Sequence, residues 1–553
     1  MTTLGFASLR ATLARRLPAP PRTAADGADV STSLGGASLL VVGVCCAVVL
    51  AGCGRESMRA APRELRINLE TEPPSLDWSL ATDGVSIIAI QQLMRGLTRL
   101  GRELRAEPDL AERWWVSSDG LTYTFVLRPG VVWSDGAPLR AQQFVDGWLR
   151  LLAPETAAEY AYFLFPVKNA RAFNSGQLAD PAQVGVRARD DATLEVELEA
   201  PLVYFPALVS FMVTFPQRRE LIARHGERWT EPPNLVTLGP FVLEEWRHEY
   251  RLVMRANERY WAGRPTLDRI TAYMIEEDST ALVLFEQGLL DLVRLPPLEI
   301  RRYATRPEYV RQPLLRGYYY GFDVQEPPFD DVRVRRAFAL AIDRSVFPGL
   351  LQGGELPWPS WIPPGMPHAN AQLGLGFDPE RARSLLREAG VDPAALPPVR
   401  IVFNSDQTHK LVAEKVQALW REHLGVRVEL ENREWKVFLK EVAGDPPAVF
   451  RLGWGADFPD PDNFMNLFTS YSENNHTRWA NPHYDALVER AARAPDPAER
   501  QRLYDEAQAI LCEQDVPIVP LFVAASNFAL AGRVRGFVPS AMDQYFFDEV
   551  SAE

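Results

Sequence analysis

The sequence predicts an α/β protein, with an open α/β sheet in the second half of the chain and a larger, more β-rich part before it. Two observations support this fold class. Runs that alternate apolar and polar residues, typical of strands with one buried face, recur through the first half. In the second half, short apolar strands alternate with amphipathic helices, an order that specifies parallel strands joined by crossovers.

Several segments of the first half are predicted to be extended because they are rich in β-branched and aromatic residues. In chain order they are Leu65–Leu69, Thr122–Leu127, Val131–Trp133, Thr193–Leu198 and Phe241–Ala256. The turn Arg128-Pro129-Gly130 separates the second from the third, and a hairpin turn is expected near Trp246.

The second half contains a strand–helix–strand unit. Val399–Phe403 is a short apolar strand, and Thr408–Leu424 has the single apolar stripe of a helix. Gly425 stands where a left-handed C-cap belongs, and Val426–Leu430 alternates like the next strand. Such a unit specifies a parallel pair with a right-handed crossover.

A second helix and a strand complete this half. Pro379–Ala389 is predicted to be helical because Asp378 can cap its first turn and Gly390 follows its last. The strand Ala448–Leu452 then leads into the Gly- and Pro-rich loop Gly453–Pro461. Ligands of open α/β sheets bind at the carboxyl ends of such strands.

The N-terminus has the pattern of a lipoprotein leader. The apolar run Ala37–Leu50 is about 14 residues long, too short to cross a bilayer and suited to a signal peptide. It ends in Leu50-Ala51-Gly52-Cys53, a cleavage site followed by a cysteine that would receive lipid. A short buried helix is the alternative, which the N-terminal position and the Ala-Gly-Cys ending disfavour.

Composition excludes several classes of protein. The net charge of −13 argues against nucleic-acid binding, which needs a basic face. Removal of the leader and lipidation of Cys53 would leave Cys512 alone, without a disulfide partner. No Cys/His pair has zinc-ligand spacing, and G-x-S-x-G, H-E-x-x-H and Walker A patterns are absent, so we expect neither a cofactor nor a metal.

The candidate binding residues lie at the predicted strand ends. Arg451 interrupts an apolar strand and needs an anion, and Asp457 follows six residues later. On residue types alone, Arg451 bridges to a nearby carboxylate and Asp457 caps the following helix. In the functional alternative, Arg451 and Asp457 hold the carboxylate and the ammonium of a zwitterion. His409 follows a strand end, while Trp435 and Trp454 are either core residues or walls of a binding site.

Six blocks of sequence stand in an order that is typical of one known family. They are Glu72-Pro73-Pro74-Ser75-Leu76-Asp77, Leu121-Thr122-Tyr123-Thr124-Phe125-Val126-Leu127-Arg128, Val132-Trp133-Ser134-Asp135-Gly136, Pro328-Phe329-Asp330-Asp331-Val332-Arg333-Val334-Arg335, Ala341-Ile342-Asp343-Arg344 and Gly453-Trp454-Gly455-Ala456-Asp457. Through them the chain resembles, over Leu65–Phe547, the extracellular solute-binding proteins of the peptide/opine/nickel family (family 5), and among these the oligopeptide-binding receptors of ABC transporters.

The resemblance implies a role for each candidate. The aspartate of the Gly-Trp-x-Ala-Asp motif, here Asp457, would bind the peptide α-ammonium. Arg451 would hold the carboxylate of a tripeptide and His409 that of a longer peptide. Trp435 and Trp454 would line side-chain pockets. The remaining expected ligand contacts are Gly453, Gly455 and, in an extended segment Ala81–Val85 that would pair with the peptide main chain, Thr82, Asp83 and Gly84.

One stretch departs from the family pattern. Relatives usually have Val-Thr-Ala at the helix start after the Trp-x-Asp-Gly motif, where the threonine caps the helix. Here the residues are Leu139-Arg140-Ala141, which lack that oxygen. We expect a weaker helix start without an effect on ligand binding.

The implied fold is that of type II periplasmic binding proteins, with two lobes that close on a ligand and an extra third domain. The expected divisions are a signal peptide 1–52, a tether 53–64, lobe 1 at 65–93, 215–308 and 525–553, an extra β-rich domain 94–214, and lobe 2 at 309–524.

The implied function is that of a lipid-anchored receptor outside the cytoplasmic membrane of a bacterium. As a monomer without enzymatic activity or nucleic-acid partner, it would deliver oligopeptides to the permease subunits of an ABC transporter. Murein peptides, an opine or a metal chelate are alternative ligands within the family. A secreted peptidase or glycosidase that uses Asp460 and Asp462 is a distant alternative from another class.

Overall fold

The computed structural model describes residues 63–472 and 474–553. The predicted signal peptide, the lipidation site Cys53 and all but the end of the predicted tether lie outside the described residues. All of the described residues fall in one compact unit, Pro62–Glu553.

The strands begin and end as follows, in chain order: β1 (Glu64–Asn68), β2 (Thr98–Leu100), β3 (Ala106–Pro108), β4 (Ala111–Val116), β5 (Thr122–Leu127), β6 (Val186–Ala188), β7 (Thr193–Glu197), β8 (Phe241–Arg247), β9 (Arg251–Ala256), β10 (Arg269–Tyr273), β11 (Leu292–Arg294), β12 (Tyr309–Phe322), β13 (Leu356–Pro357), β14 (Val399–Asn404), β15 (Val428–Arg433), β16 (Val449–Gly455), β17 (Ile518–Leu530), β18 (Val534–Arg535) and β19 (Ser551–Ala552).

The α-helices are α1 (Gly84–Leu93), α2 (Ala141–Leu152), α3 (Ala170–Asn174), α4 (Phe205–Leu208), α5 (Arg219–His225), α6 (Asp278–Glu286), α7 (Pro297–Tyr303), α8 (Val332–Leu340), α9 (Phe347–Leu351), α10 (Pro379–Glu388), α11 (Gln407–Leu424), α12 (Trp435–Gly444), α13 (Asp462–Met465), α14 (Pro482–Arg493) and α15 (Pro497–Ala509). Short 3-10 turns and one π turn join or extend them.

The largest sheet spans most of the molecule. Among the described residues it has eleven strands, in the order β15-β14-β16-β12-β17-β11-β1-β10-β9-β8, with β13 paired to β17 off this path. The long strands β12 and β17 pair antiparallel and stand between the two halves of this order. One edge of the pair continues through β16, and the other continues through β11 to β1.

The predicted strand–helix–strand unit is confirmed. β14 and β15 are parallel, with Val399 opposite Val428, and α11 lies between them in the chain. The carboxylate of Asp406 caps α11 by accepting from the backbone N–H of His409 at 3.0 Å. Gly425 ends the helix with φ 76°, the left-handed conformation that glycine adopts without strain.

Residues of the predicted extra domain 94–214 form a separate four-stranded antiparallel sheet, β4-β5-β7-β6. Its apolar side chains belong to the same buried cluster as those of β1, β8 and α1, for example Phe125, Phe144 and Leu194 beside Ile67 and Phe241. This region is therefore packed on the β1 side of the large sheet.

The half of the large sheet that contains β14, β16 and β12 has a hydrophobic cluster on each face. Tyr318 and Tyr320 belong to one cluster, whereas Tyr319, Phe450 and Leu452 belong to the other. Because side chains alternate along a strand, Arg451 of β16 lies on the face of Tyr318 and Tyr320, the face that α11 also covers.

One local prediction needs correction. Val131–Trp133 is not a strand, because Val132 makes only an isolated bridge to Pro138. The hairpin Phe241–Ala256 and the helix that starts at Pro379 are confirmed, the latter with Asp378 accepting from the N–H of Arg381. At the start of α2, Arg140 supplies no side-chain cap, as expected, and the side chain of Gln143 accepts from the N–H of Arg140 at 2.9 Å.

Candidate ligand-binding cleft

A cavity of about 510 Å³ lies between the two halves of the large sheet. One side is formed by β1, the start of α1, β11 and the end of the chain, and the other by β12 and the end of β16. Its charged lining residues are Glu70, Arg294, Arg316, Asp457 and Asp543. Gly84 and Gly455, two of the predicted ligand contacts, also line it.

Asp457 is half-buried at the rim where β16 ends. Its Oδ2 accepts from the phenol of Tyr162 at 3.2 Å and from Nδ2 of Asn463 at 3.4 Å. No Arg, Lys or His of the described residues pairs with it. Burial raises the pKa of the Asp457 carboxyl, and the two hydrogen bonds only partly oppose this. The ionised carboxylate is thus a partly buried anion that a cation would stabilise.

Tyr160 connects Asp457 with the segment predicted to contact the peptide. Its hydroxyl donates to the carbonyl oxygen of Thr82 at 3.4 Å, and its ring lies 5.8 Å from that of Tyr162. Burial, with the charge of Asp457 as the next cause, raises the pKa of Tyr160 to about 12. Tyr160 therefore stays neutral at physiological pH and can donate hydrogen bonds at this rim.

Arg451 lies in a second cluster, outside the lining of the cavity. Its guanidinium stacks 4.3 Å from the ring centre of Tyr318 and donates to Oδ1 of Asn404 at 3.3 Å. Its buried Nε has no hydrogen-bond partner in the structure. Within residues 63–472 and 474–553 no carboxylate forms an ion pair with it, so the ordinary structural alternative for Arg451 is wrong.

His409 belongs to the same cluster as Arg451. Its ring packs edge-on against Tyr318 with centroids 5.6 Å apart. Burial, and then the charge of Arg451, lower the pKa of His409 to about 4. The imidazole is therefore neutral at pH 7, which leaves Arg451 as the cation of this cluster.

The two tryptophans differ in position. Nε1 of Trp454 donates to Oδ1 of Asn463 at 3.0 Å, the atom that also accepts from the N–H of Asp457. Asn463 thereby holds Trp454 and the Asp457 loop in a fixed arrangement. Trp435 begins α12, stacks on Phe438 and is 46% exposed. Neither tryptophan lines the cavity described above.

The two motif glycines lie where β16 passes close to β12. A Cβ at Gly453 would be 2.8 Å from the carbonyl oxygen of Gly317, a distance that no side chain tolerates without a backbone shift. A Cβ at Gly455 would be 3.3 Å from Nε of Arg316, its partner across the strands. Gly453 is thus required by strand packing, and Gly455 leaves room beside the cavity.

The prediction that Ala81–Val85 is extended is wrong at its end. Gly84 begins α1, and Asp83 is its N-cap, accepting from the N–H of Ser86 at 2.8 Å and from its hydroxyl at 2.6 Å. Asp83 itself keeps extended dihedral angles. The carboxylate of Asp83 is therefore engaged by its own helix, while Gly84 lines the cavity.

The remaining acids of the loop have internal partners. Asp460 accepts from both terminal nitrogens of the buried Arg500, at 2.7 and 2.6 Å. Asp462 accepts from the phenol of Tyr204 at 2.8 Å, and burial raises its pKa to about 6. Asp457 does not cap α13, whose N-cap is Pro461 without a side-chain bond.

Comparison with known proteins identifies the family. Residues 105–476 match the bacterial extracellular solute-binding proteins, family 5, middle part. The chain belongs to this family. It is 32% identical to the oligopeptide-binding protein OppA of Bacillus subtilis (strain 168), over 87% of this chain and 91% of that protein. It is also 32% identical to the probable deoxycholate-binding periplasmic protein YgiS of Escherichia coli (strain K12), over 86% and 91%.

A solved structure supports the fold class. The unliganded open form of MppA, a periplasmic murein tripeptide binding protein, superposes with a TM-score of 0.80 at 29% identity, covering 89% of this chain and 98% of that chain. The predicted α/β fold of the periplasmic binding proteins, with two lobes and an extra domain, is thereby confirmed.

Several site residues were not predicted. Tyr160, Tyr162, Arg294, Arg316 and Asp543 lie at the cavity or beside Asp457. Tyr162 is 295 residues from Asp457, so no local pattern could connect the two. Arg316 does carry a signal, because it is a charge within a long apolar strand, as Arg451 is.

No group of His, Cys, Asp and Glu among the described residues could hold a metal ion. In the same part of the chain, no helix is long and apolar enough to cross a membrane.

Proposed function

We propose that the protein is the substrate-binding receptor of an ABC transporter and captures oligopeptides in the cleft between its lobes. The predicted divisions, with lobe 1 at 65–93, 215–308 and 525–553 and lobe 2 at 309–524, put the walls of the cavity on different lobes. A peptide bound there would contact both lobes and favour their closure.

The observation that carries the proposal is a pair of opposite charges that have no ion-pair partner among the described residues. Asp457 is a half-buried carboxylate without a cation, and Arg451 is a half-buried guanidinium, with a buried Nε, without a carboxylate. Isolated buried charges are costly, so such a pair is typical of a site that awaits a zwitterion. The N- and C-termini of a peptide are the complementary charges.

The spacing of the two groups fits a short peptide. Arg451 and Asp457 are six residues apart, at most about 20 Å at the usual rise of a strand. An extended tripeptide spans about 10 Å, and the side chains of Arg451 and Asp457 reach across the rest. A longer peptide would place its carboxylate nearer His409, where Arg451 still supplies the positive charge.

Lobe closure supplies most of the affinity in this mechanism. Charge pairs strengthen when water leaves the cleft, because the effective dielectric constant falls. Removal of one partner from such a desolvated pair costs about 2–5 kcal/mol. Closure by ligand is a population shift, which the permease subunits would read.

The names of the relatives support a peptide as the ligand and also define a second candidate ligand. OppA and MppA are named for peptides, whereas YgiS is named for deoxycholate. A bile acid would offer a carboxylate to Arg451 and no cation to Asp457. The unpaired carboxylate of Asp457 therefore favours peptides, murein peptides among them, over a bile acid.

The proposal also includes attachment to a membrane and the absence of catalytic activity. Lipid on Cys53 would hold the receptor outside the membrane beside its permease, as the sequence Leu50-Ala51-Gly52-Cys53 predicts. We expect no turnover of bound peptides, because Asp460 and Asp462 are engaged by Arg500 and Tyr204. The secreted hydrolase is accordingly disfavoured.

Calorimetry tests the proposal. The purified protein is titrated with mixed tripeptides, mixed tetrapeptides, deoxycholate, a nickel chelate and an opine. Binding of the peptides with a dissociation constant near 1 μM, about −8 kcal/mol, is the expected result. Binding of one of the other solutes, with no heat from any peptide, would overturn the proposal.

A further inference from the structure

Arg316 occupies an irregular position in β12, above the cavity. Pro313 pairs with Ala525 and Gly317 pairs with Val523, so β12 has two more residues than β17 in this interval. A bulge of this kind bends the strand and redirects its side chains. Here it leaves Arg316 opposite Gly455, with its side chain in the cavity lining.

The guanidinium of Arg316 has no hydrogen-bonded partner. In the described part of the chain its nearest acid is Asp543, with 4.0 Å between the nitrogen and the oxygen. Asp543 is held mainly by other donors, because Ser526, Tyr545 and Arg294 donate to its Oδ1 at 2.8, 2.9 and 3.3 Å and Arg294 donates to its Oδ2 at 3.4 Å. Arg316 is therefore a cation available to a ligand.

Arg294, the other arginine in the cavity lining, differs from Arg316 because it is engaged by several internal hydrogen bonds. It donates to Glu70 at 3.1 Å, to Ser526 at 2.8 Å and to the phenol of Tyr545 at 2.7 Å. These internal bonds occupy Arg294, whose single positive charge faces the negative charges of both Glu70 and Asp543. Of the charged groups that line the cavity in the described part of the chain, Asp457 has no ion-pair partner and Arg316 has only the 4.0 Å contact with Asp543.

The position of Arg316 relative to Asp457 defines what it would contact. It lies across from Gly455, two residues before Asp457, which is about 6–7 Å along a strand. A peptide with its ammonium on Asp457 would bring its first or second side chain to this distance. Gly455 has no side chain to fill the intervening space.

We propose that Arg316 selects peptides with an acidic side chain at their first or second residue. This inference rests on the proposed function and specifies its substrate class. An aspartate or glutamate there can accept two hydrogen bonds from the guanidinium, the strongest arrangement of this pair. A lysine in the same position would face a like charge.

Matched tripeptides test the selection. The full chain is titrated with Ala-Glu-Ala, Ala-Gln-Ala, Ala-Lys-Ala and Glu-Ala-Ala, in parallel with the variants Arg316→Gln and Arg316→Lys. The exposed Arg301, in α7 and outside the cavity, supplies the control Arg301→Gln. We expect the wild type to bind one of the Glu peptides about 10- to 100-fold more tightly than Ala-Gln-Ala, since charged hydrogen bonds contribute that much.

The variants separate selection from general damage. Arg316→Gln should lose the Glu preference while it still binds Ala-Gln-Ala, Arg316→Lys should restore part of the preference, and Arg301→Gln should behave as the wild type. If the wild type binds all four peptides alike, the inference fails and peptide binding stands. If no tripeptide binds at all, both the inference and the proposed function fail.

Discussion

At the scale of residues, the site is built from charges that the fold leaves without an opposite charge. The carboxylate of Asp457 accepts hydrogen bonds from two neutral side chains. The guanidinium of Arg451 stacks on the ring of Tyr318 and donates to the amide oxygen of Asn404. Both groups lose hydration without gaining an ion pair. The ligand-free protein therefore carries a cost in stability that the ligand would relieve.

The first prediction is that Asp457→Asn stabilises the ligand-free protein at pH 7. The raised pKa of Asp457 means that the folded state binds this proton more tightly than the unfolded state does. Stability from this group is therefore present at low pH and is lost as pH rises through the folded pKa. An amide avoids that loss, so thermal unfolding should give a higher midpoint for the variant at pH 7.

The stabilisation should shrink when the pH falls below the ordinary range of an aspartate, near pH 4, because the wild-type carboxyl is then neutral as well. Asp330 is exposed, and Asp330→Asn is the control that should show no such pH dependence. A lower midpoint for Asp457→Asn at pH 7, or a difference that does not vary with pH, would contradict the interpretation.

Part of the candidate site can be predicted from the residue types in the sequence. A charge inside an apolar strand singled out Arg451, and the same signal is present at Arg316 in β12. Tyr160 and Tyr162 could not be found in this way, because tyrosines in a short 3-10 segment that is rich in aromatic residues have no distinctive local pattern. Their relation to Asp457 depends on tertiary contacts across 295 residues of chain.

At the scale of elements, β16 positions the site, and its glycines serve packing as well as ligand access. Gly453 lies against the carbonyl of Gly317 in the neighbouring strand β12, whereas Gly84 at the start of α1 has open space around it. Both positions were predicted as ligand contacts. The structure distinguishes the packing role of the first from the open position of the second.

We predict that Gly453→Ala destabilises the protein by about 1–3 kcal/mol, because the added methyl group would force β12 and β16 apart. Gly84→Ala is the matched control and should leave stability nearly unchanged. Urea unfolding of the two variants gives the comparison. Equal midpoints for both variants would show that the strands can separate at no cost, against this account.

The strands and helices of the second half followed from sequence because their patterns are local. β14, α11 and β15 formed a parallel unit as periodicity and the Gly425 cap indicated. The start of α1 was missed although Asp83 and Ser86 have capping spacing, since the family resemblance favoured an extended segment. Val131–Trp133 has strand composition but finds only one bridging partner.

At the scale of the whole molecule, β12 and β17 connect the two halves that enclose the cavity. They are the strands through which the path of the large sheet crosses from β16 to β11. The solved structure on which the chain superposes with a TM-score of 0.80 is an unliganded open form. Bending at this strand pair would bring the side of the cavity formed by β1, α1 and β11 toward Arg451 and Asp457, which lie together on β16 and the loop after it.

We predict that peptide binding makes the molecule more compact. Small-angle X-ray scattering of the purified protein should show a smaller radius of gyration with saturating peptide than without it. Asp457→Asn at the same peptide concentration should remain extended, because it binds too weakly to close. An unchanged radius for the wild type, under conditions where calorimetry shows binding, would contradict closure.

The central claim is that Asp457 binds the amino terminus of a peptide, and one comparison tests it most directly. Titration calorimetry is performed with Ala-Ala-Ala and with N-acetyl-Ala-Ala-Ala against the wild type, Asp457→Asn and Asp330→Asn. Acetylation should weaken binding to the wild type and to Asp330→Asn by about 30-fold or more, the equivalent of 2–5 kcal/mol. It should change little for Asp457→Asn. Equal binding of the free and the acetylated peptide by the wild type would contradict the claim.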